Sequence, residues 1–281
     1  MSIFLDMQEF WQYVKNVLEL ILKGKILMID THAHLQDEKY ENAEAIINNA
    51  LKSGVEQIVC ASANLKTSKQ AINLAEDYDC VFATVGVHPE DAGEWNGNTA
   101  KEVEKLAHCN KVVAIGEIGL DYHYEFCSRE QQKQAFIDQI KLANKLSLPV
   151  VVHTRDATQD TMQILKENMH LLKCGVCIHC FSMSVEILKE VISYGFVISL
   201  GGAITFKNAR GLLDIVKACP IENLMLETDS PYMSPEPFRG RRNEPKNVEF
   251  VAQKIAELKN MKLSDVALQT TINAKKFFKL P

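Results

Sequence analysis

From Lys25 onward, short apolar runs alternate with longer stretches in which apolar residues return every three or four positions. The runs fall at 26–29, 57–61, 81–85, 112–116, 150–152, 175–178, 196–199 and 224–227. Most are near-continuous in Val, Ile, Leu and Phe, the pattern of strands buried on both faces in a parallel sheet. The stretches between them have helical spacing. Across 131–146, Ala135, Phe136, Ile140, Ala143 and Leu146 form one face, with lysines and acids opposite. Segments 185–194 and 208–218 read the same way, and 246–259 and 263–278 predict two further helices at the C-terminus. Eight strands with crossover helices predict an α/β fold, a single-domain (β/α)8 TIM barrel over residues 28–281. A doubly wound open sheet is the alternative, and strand number alone does not separate the two.

Length agrees with the barrel: 281 residues suit one domain of roughly 250. The hydrophobic share of 47% and charged share of 24% are those of a soluble globular chain, which sets aside disordered, collagenous and membrane-spanning classes. A net charge of -5 gives no global cationic field, so any nucleic-acid contact must be local. Eight scattered cysteines without small-domain spacing point to reduced thiols and a cytoplasmic setting.

Residues 1–27 carry Phe10, Val14, Val17, Leu18 and Ile21 at helical spacing, which predicts an added amphipathic helix. A second reading makes Met28 the native start. Lys23-Gly24 can be encoded by a purine-rich sequence resembling a ribosome-binding site a few codons ahead of it. Mass spectrometry of the endogenous protein separates the two, since a peptide from 1–27 rules out the second.

The candidate chemistry lies at the strand ends. Five of eight histidines follow predicted strands: His32 and His34 the first, His88 the third, His153 the fifth and His179 the sixth. Glu117 closes the fourth and Asp229 follows the eighth. In a barrel all strand C-termini meet at one mouth, so these seven residues converge. His32 and His34, two apart on extended chain, leave the same face. Neutral imidazoles with carboxylates are a metal-ligand set. Two other patterns carry less. Cys174, Cys177 and Cys180 are spaced i, i+3, which on a strand points alternate thiols to opposite faces, so they read as packing residues. Gly201-Gly202 lacks a following Gly-Lys-Ser/Thr and reads as a tight turn.

The same residues resemble the TatD family of metal-dependent deoxyribonucleases, within the amidohydrolase-like barrels. The shared motifs occur in the family's order: Asp30-Thr-His32-Ala-His34, Gly86-Val-His88-Pro89, Gly116-Glu117-Ile-Gly119-Leu-Asp121-Tyr122, Val152-His153-Thr-Arg155, His179-Cys-Phe-Ser182, Glu227-Thr-Asp229-Ser-Pro-Tyr232 and Arg239-Gly-Arg-Arg-Asn-Glu-Pro245. The resemblance spans roughly 28–280, and Met183 replaces the family's usual glycine. It implies a site for two divalent ions (Mg, Mn or Zn), one held by His32, His34 and Asp229, the other by His153 and His179, with Glu117 bridging. Glu117 and Asp229 are then the catalytic carboxylates, with Asp229 orienting water or accepting its proton. His88, Asp121, Tyr122, Arg155 and Arg239 are the implied substrate contacts. The implied reaction is 3′ to 5′ hydrolysis of DNA at single-stranded or frayed ends, by a monomer or weak oligomer without membrane contact. Two ions would add about four positive charges at the mouth, reversing the local field of an acidic chain.

Four imidazoles favour transition metals over magnesium. Two other functions fit parts of the sequence. An amidohydrolase acting on a small amide, lactone or phosphoester would use the same metals, but the Arg239 loop with Arg155 and Tyr122 suits a nucleotide better. A catalytically silent scaffold is disfavoured because every proposed ligand position holds a competent residue.

Overall fold

The computed structural model describes residues 26–124 and 126–281. The predicted N-terminal helix within 1–27 lies almost wholly outside the described residues. Eight strands, β1 (Met28–Ala33), β2 (Val55–Cys60), β3 (Val81–Val85), β4 (Val112–Asp121), β5 (Val150–Arg155), β6 (Val176–Ile178), β7 (Val197–Leu200) and β8 (Leu224–Leu226), pair in parallel in sequence order. The barrel closes where β1 meets the chain leaving β8. There the Asp229 N–H donates to the His32 carbonyl (2.9 Å) and the His34 N–H to the Ser230 carbonyl (2.7 Å). This is the TIM barrel that the alternation predicts, and the open sheet is set aside.

Helices α1 (Ala43–Lys52), α2 (Leu65–Asp77), α3 (Gly97–Leu106), α4 (Arg129–Leu146), α5 (Thr158–Glu167), α6 (Val185–Ser193) and α7 (Arg210–Ala218) alternate with the strands, and α8 (Val248–Lys259) and α9 (Leu263–Phe278) follow. Their starts are written locally. Asn42 and Ser184 each accept an N–H of the first turn, and Asn64 with Thr67 and Ser128 with Gln131 form capping boxes.

Two apolar layers result. One packs the outward side chains of the strands, such as Ile58, Val150, Val152 and Ile178, against the helices. The other gathers Ile29, Val59, Val113, Val151, Cys177 and Met225 from six different strands, so it is the barrel interior; Phe278 and Leu280 close it from below. Strand periodicity then places the chemistry. His153 is two residues beyond Val151, His179 two beyond Cys177, and Asp229 four beyond Met225, so the inner face that is apolar low in the barrel turns polar at the mouth.

β4 and β1 run further than their apolar runs suggest. β4 continues from Gly116 to Asp121, and Glu117 therefore sits inside the strand rather than closing it. Pairing registers shift between Asp30 and Ala33 in β1 and between Ile115 and Ile118 in β4, the two stretches that carry His32 and Glu117. Such irregularities re-aim side chains that a regular strand would send elsewhere. Gly119 shows how closely β4 and β5 approach. At φ +141°, a β-carbon there would lie 2.0 Å from the His153 carbonyl oxygen, so only glycine fits.

Candidate active site

Glu117 is the hub of the mouth. Its side chain is buried, and its two oxygens face different imidazoles. Oε1 lies 2.7 Å from His179 Nε2 and 2.8 Å from His153 Nδ1; Oε2 lies 3.3 Å from His32 Nε2 and 3.9 Å from His34 Nε2. Asp229 Oδ1 is 3.3 Å from His34 Nε2 and 3.9 Å from His32 Nε2. Residues from β1, β4, β5 and the ends of β6 and β8 thus meet within one small volume. Asp229 and Cys180, beside His179, hold left-handed backbone (φ 53° and 45°), a strained conformation that turns each chain segment sharply at the site.

The hydrogen bonds behind the imidazoles fix which nitrogen faces the cluster. His34 Nδ1 lies 3.2 Å from the Ala61 carbonyl, which accepts only from an N–H, so Nε2 is left with a free lone pair. His153 Nε2 lies 2.9 Å from Asp121 Oδ2, so its Nδ1 lone pair is the one aimed at the cluster. His32 is buried with neither ring nitrogen hydrogen-bonded, and His179 Nδ1 is likewise unpaired, 3.8 Å from Glu227 Oε1. The His32 ring, buried beside Glu117 with no hydrogen bond of its own, is what cation coordination would satisfy. The donor set fits divalent metal, and the groups His32–His34–Asp229 and His32–Glu117–His179 each bring three ligand atoms within 4.8 Å of one another.

His88 also approaches, with Nε2 3.6 Å from Glu117 Oε1. Its Nδ1 accepts the Glu90 N–H (3.2 Å), so the ring proton sits on Nε2 and points inward. Burial pulls its pKa down to about 3, leaving a neutral donor. Although His88 groups geometrically with Glu117 and His153, this tautomer makes it a hydrogen-bond donor to an anion rather than a ligand. Burial pushes the Glu117 and Asp229 carboxyls up, but the surrounding imidazoles outweigh it and hold both below the ordinary carboxylate range.

The structure brings His32, His34, His88, Glu117, Asp121, His153, His179 and Asp229 together. Arg155 joins His153, His179, Cys180 and Asp229 in lining a cavity of about 320 Å³. Arg239 lies further out, exposed, its guanidinium 4.2 Å above the Phe206 ring. Tyr122 is not brought to the cluster. Next to inward-facing Asp121 on an extended segment, it turns outward, its hydroxyl donating to Asp160 of α5 (2.7 Å) and its ring stacked under Arg129 of α4. Tyr122, expected as a substrate contact, is thus engaged with α4 and α5 beside the mouth. Cys177 is buried and Cys174 and Cys180 half-buried, all without disulfides, and none joins a metal-type cluster among the described residues.

Two acids behind the site were not singled out from sequence. Asp30 accepts the Thr228 N–H (2.9 Å), the Thr228 hydroxyl (2.5 Å) and the His32 N–H (3.2 Å), tying β1 to the strand end that carries Asp229. Burial raises its carboxyl to about 8. Glu227 accepts the Ser199 hydroxyl and the Cys180 N–H (2.7 Å), behind His179. Position i, i+2 to a candidate ligand, as in Glu227 and Asp229, was the available signal.

Comparison with known proteins agrees with this geometry. Residues 29–279 match the family described as TatD related DNase. The chain is 42% identical over 255 residues to YabD of Bacillus subtilis, an uncharacterized metal-dependent hydrolase, covering 90% of this chain and all of YabD. It is 35% identical over 260 residues to a protein of Erwinia tasmaniensis named 3′-5′ ssDNA/RNA exonuclease TatD, again covering 90% of this chain and all of the other. The crystal structure of YjjV, a TatD homologue from Escherichia coli K12, superposes with a TM-score of 0.86 at 29% identity, covering 90% of this chain and 98% of that one. With the family match running over residues 29–279 and these relatives covered almost end to end, the chain belongs to the TatD family of metal-dependent hydrolases.

Proposed function

We propose that this enzyme hydrolyses phosphodiester bonds at the 3′ ends of single-stranded or frayed DNA, using two divalent cations. The observation that carries the reading is the division of Glu117, one oxygen toward His153 and His179 and the other toward His32 and His34. A carboxylate so placed suits a bridge between two ions. His32, His34 and Asp229 would hold one ion and His153 and His179 the other. Bound there, the ions would supply an activated water near neutral pH and neutralise the charge of the phosphate.

The protein side chains do the rest. Asp229 lies at the exposed edge of the cluster, where its carboxylate orients the attacking water and takes its proton. His88 offers its Nε2–H to a phosphate oxygen, and Arg155 on the cavity wall offers a guanidinium to the same group. Asp121 holds His153 in the tautomer that presents Nδ1. The name of the Erwinia tasmaniensis relative, a single-strand exonuclease, supports an end-directed polarity. The imidazole-rich donor set favours zinc, manganese or iron over magnesium, and metal analysis of protein purified without chelator tests that choice.

Oligonucleotides labelled at either end, single- and double-stranded, incubated over a metal panel, test the function. Stepwise release of mononucleotides from the 3′ end is expected, lost with EDTA and with Glu117→Ala. If no metal supports nucleotide release while a small ester or lactone is turned over, the nuclease reading is wrong.

A further inference from the structure

The loop joining β4 to α4 presents an unusual surface. Phe126 is 70% exposed, the most exposed large apolar side chain among the described residues, and Tyr124 beside it is 42% exposed. Their rings are stacked, centroids 5.7 Å apart and planes 21° from parallel. The Arg155 guanidinium lies 4.9 Å from the centre of the Tyr124 ring, and His123 packs edge-on to it at 4.8 Å. Folding gains little from two apolar rings held in water, and rings fixed in parallel leave a flat π-face open at the end of the stack.

The loop is tied to the catalytic cluster by Asp121. Asp121 Oδ1 accepts the N–H groups of His123 (2.8 Å) and Tyr124 (3.2 Å), while its Oδ2 meets His153 Nε2. Arg155 links the same two places from the other side, because it caps the Tyr124 ring and also lines the cavity beside His153, His179 and Asp229. A cation at the cavity wall next to a stacked aromatic pair matches the repeating unit of a single nucleic-acid strand, an anionic phosphate with a flat base beside it.

We propose that Tyr124 and Phe126 form a stacking platform for a nucleobase of the substrate strand, near the phosphate that Arg155 contacts. The proposal rests on the phosphodiesterase reading above and narrows it. Bases within a duplex are already stacked on each other, so this platform receives only an unpaired strand or a frayed end. It reads a π-face, so it tolerates any base.

The test compares KM for a single-stranded oligonucleotide with KM for the same oligonucleotide carrying one abasic residue at each of its last three positions. It uses wild type, the double variant Tyr124→Ala/Phe126→Ala, and Phe126→Trp. In wild type one abasic position raises KM about tenfold or more, the usual worth of a base–aromatic stack. The double variant raises KM for the intact strand by a similar factor and shows no further abasic penalty, whereas Phe126→Trp keeps wild-type behaviour. An abasic penalty that survives in the double variant overturns the platform and leaves phosphodiester cleavage standing. Failure of wild type to cleave any oligonucleotide with any metal overturns both.

Discussion

Asp121→Asn tests the arrangement more sharply than removal of a proposed ligand does. The substitution changes almost no volume, yet the structure leaves the amide one sensible orientation. The Oδ1 site must keep accepting the backbone N–H groups of His123 and Tyr124, so the new NH2 falls at the Oδ2 site, 2.9 Å from His153 Nε2. Two donors then meet unless His153 moves its proton to Nδ1. That tautomer satisfies the amide but puts a proton on the nitrogen facing Glu117, where a cation needs a lone pair. Burial pushes the Asp121 carboxyl up, but its bond to His153 and the backbone donors win and hold it at about 2, so the native group is a full carboxylate at working pH. Replacing a carboxylate behind a metal-binding histidine costs about 10–100-fold in metal affinity or activity, equivalent to about 1.4–2.7 kcal/mol. Calorimetric metal titration and the metal dependence of turnover both read this. The expected result is a metal-activation midpoint raised about 10–100-fold, with a urea midpoint near wild type for the chelated protein. A midpoint within threefold of wild type would refute the assignment of His153 Nδ1 as the nitrogen that meets the cation.

Gly119→Ala forces a β-carbon to within 2.0 Å of the His153 carbonyl oxygen at a φ that suits only glycine, so it destabilises the fold by about 3–5 kcal/mol in urea denaturation; an unchanged midpoint would contradict the close β4–β5 approach. Glu117→Gln keeps the side chain's shape but removes the central charge, so turnover falls about 10³-fold or more with every metal, as chelation also would; near-normal activity with excess metal would show that the bridge is dispensable. Arg239→Ala removes an exposed guanidinium, so KM for oligonucleotides rises severalfold and the logarithmic salt dependence of binding flattens by about 0.7 for a lost phosphate contact; an unchanged salt slope would remove Arg239 from the substrate path.

The barrel was legible because apolar runs and helical spacing alternated cleanly, and β3 matches its run to the residue. β1 and β4 were read short for one physical reason. Their upper halves carry polar residues, Asp30-Thr31-His32 in β1 and Glu117 and Asp121 in β4, that normally end a buried run. Here the polarity is answered inside the barrel: Thr31 donates to the Leu226 carbonyl, and the Asp121 N–H donates to Gln132 of α4. Strands that hold a site therefore look like loops in the sequence. The convergence of His32, His34, His153, His179, Glu117 and Asp229 needed only strand ends and a barrel to foresee. The motif gives the position of Tyr122 but not its face, which the β4 register shift and the bond from its hydroxyl to Asp160 decide. Asp30 and Glu227 offered only their i, i+2 spacing to His32 and Asp229, since the partners that define their clamping roles lie 198 and 47 residues away in the chain.

A cluster that crowds one carboxylate among five imidazoles would spread apart unless its backbone were fixed independently. That fixing comes from residues outside the proposed ligand set. Asp30 clamps β1 to Thr228; the Asp229 and His34 N–H groups cross the barrel seam; and Glu227 holds the turn at Cys180. Ser62 donates its hydroxyl toward the Thr84 carbonyl and accepts the Glu117 N–H at its own carbonyl (2.9 Å), pinning β4 at the residue that matters most. Each contact is made by backbone or by a fully buried side chain, so the backbone beneath the cluster is held in place without help from a cation. The scaffold, with its glycine-only approach at Gly119 and its left-handed Asp229, carries the strain that a ligand-first site would have to meet from binding energy. Substitutions at the clamps should therefore be felt in metal affinity before they are felt in stability, the same order expected for the carboxylate behind His153.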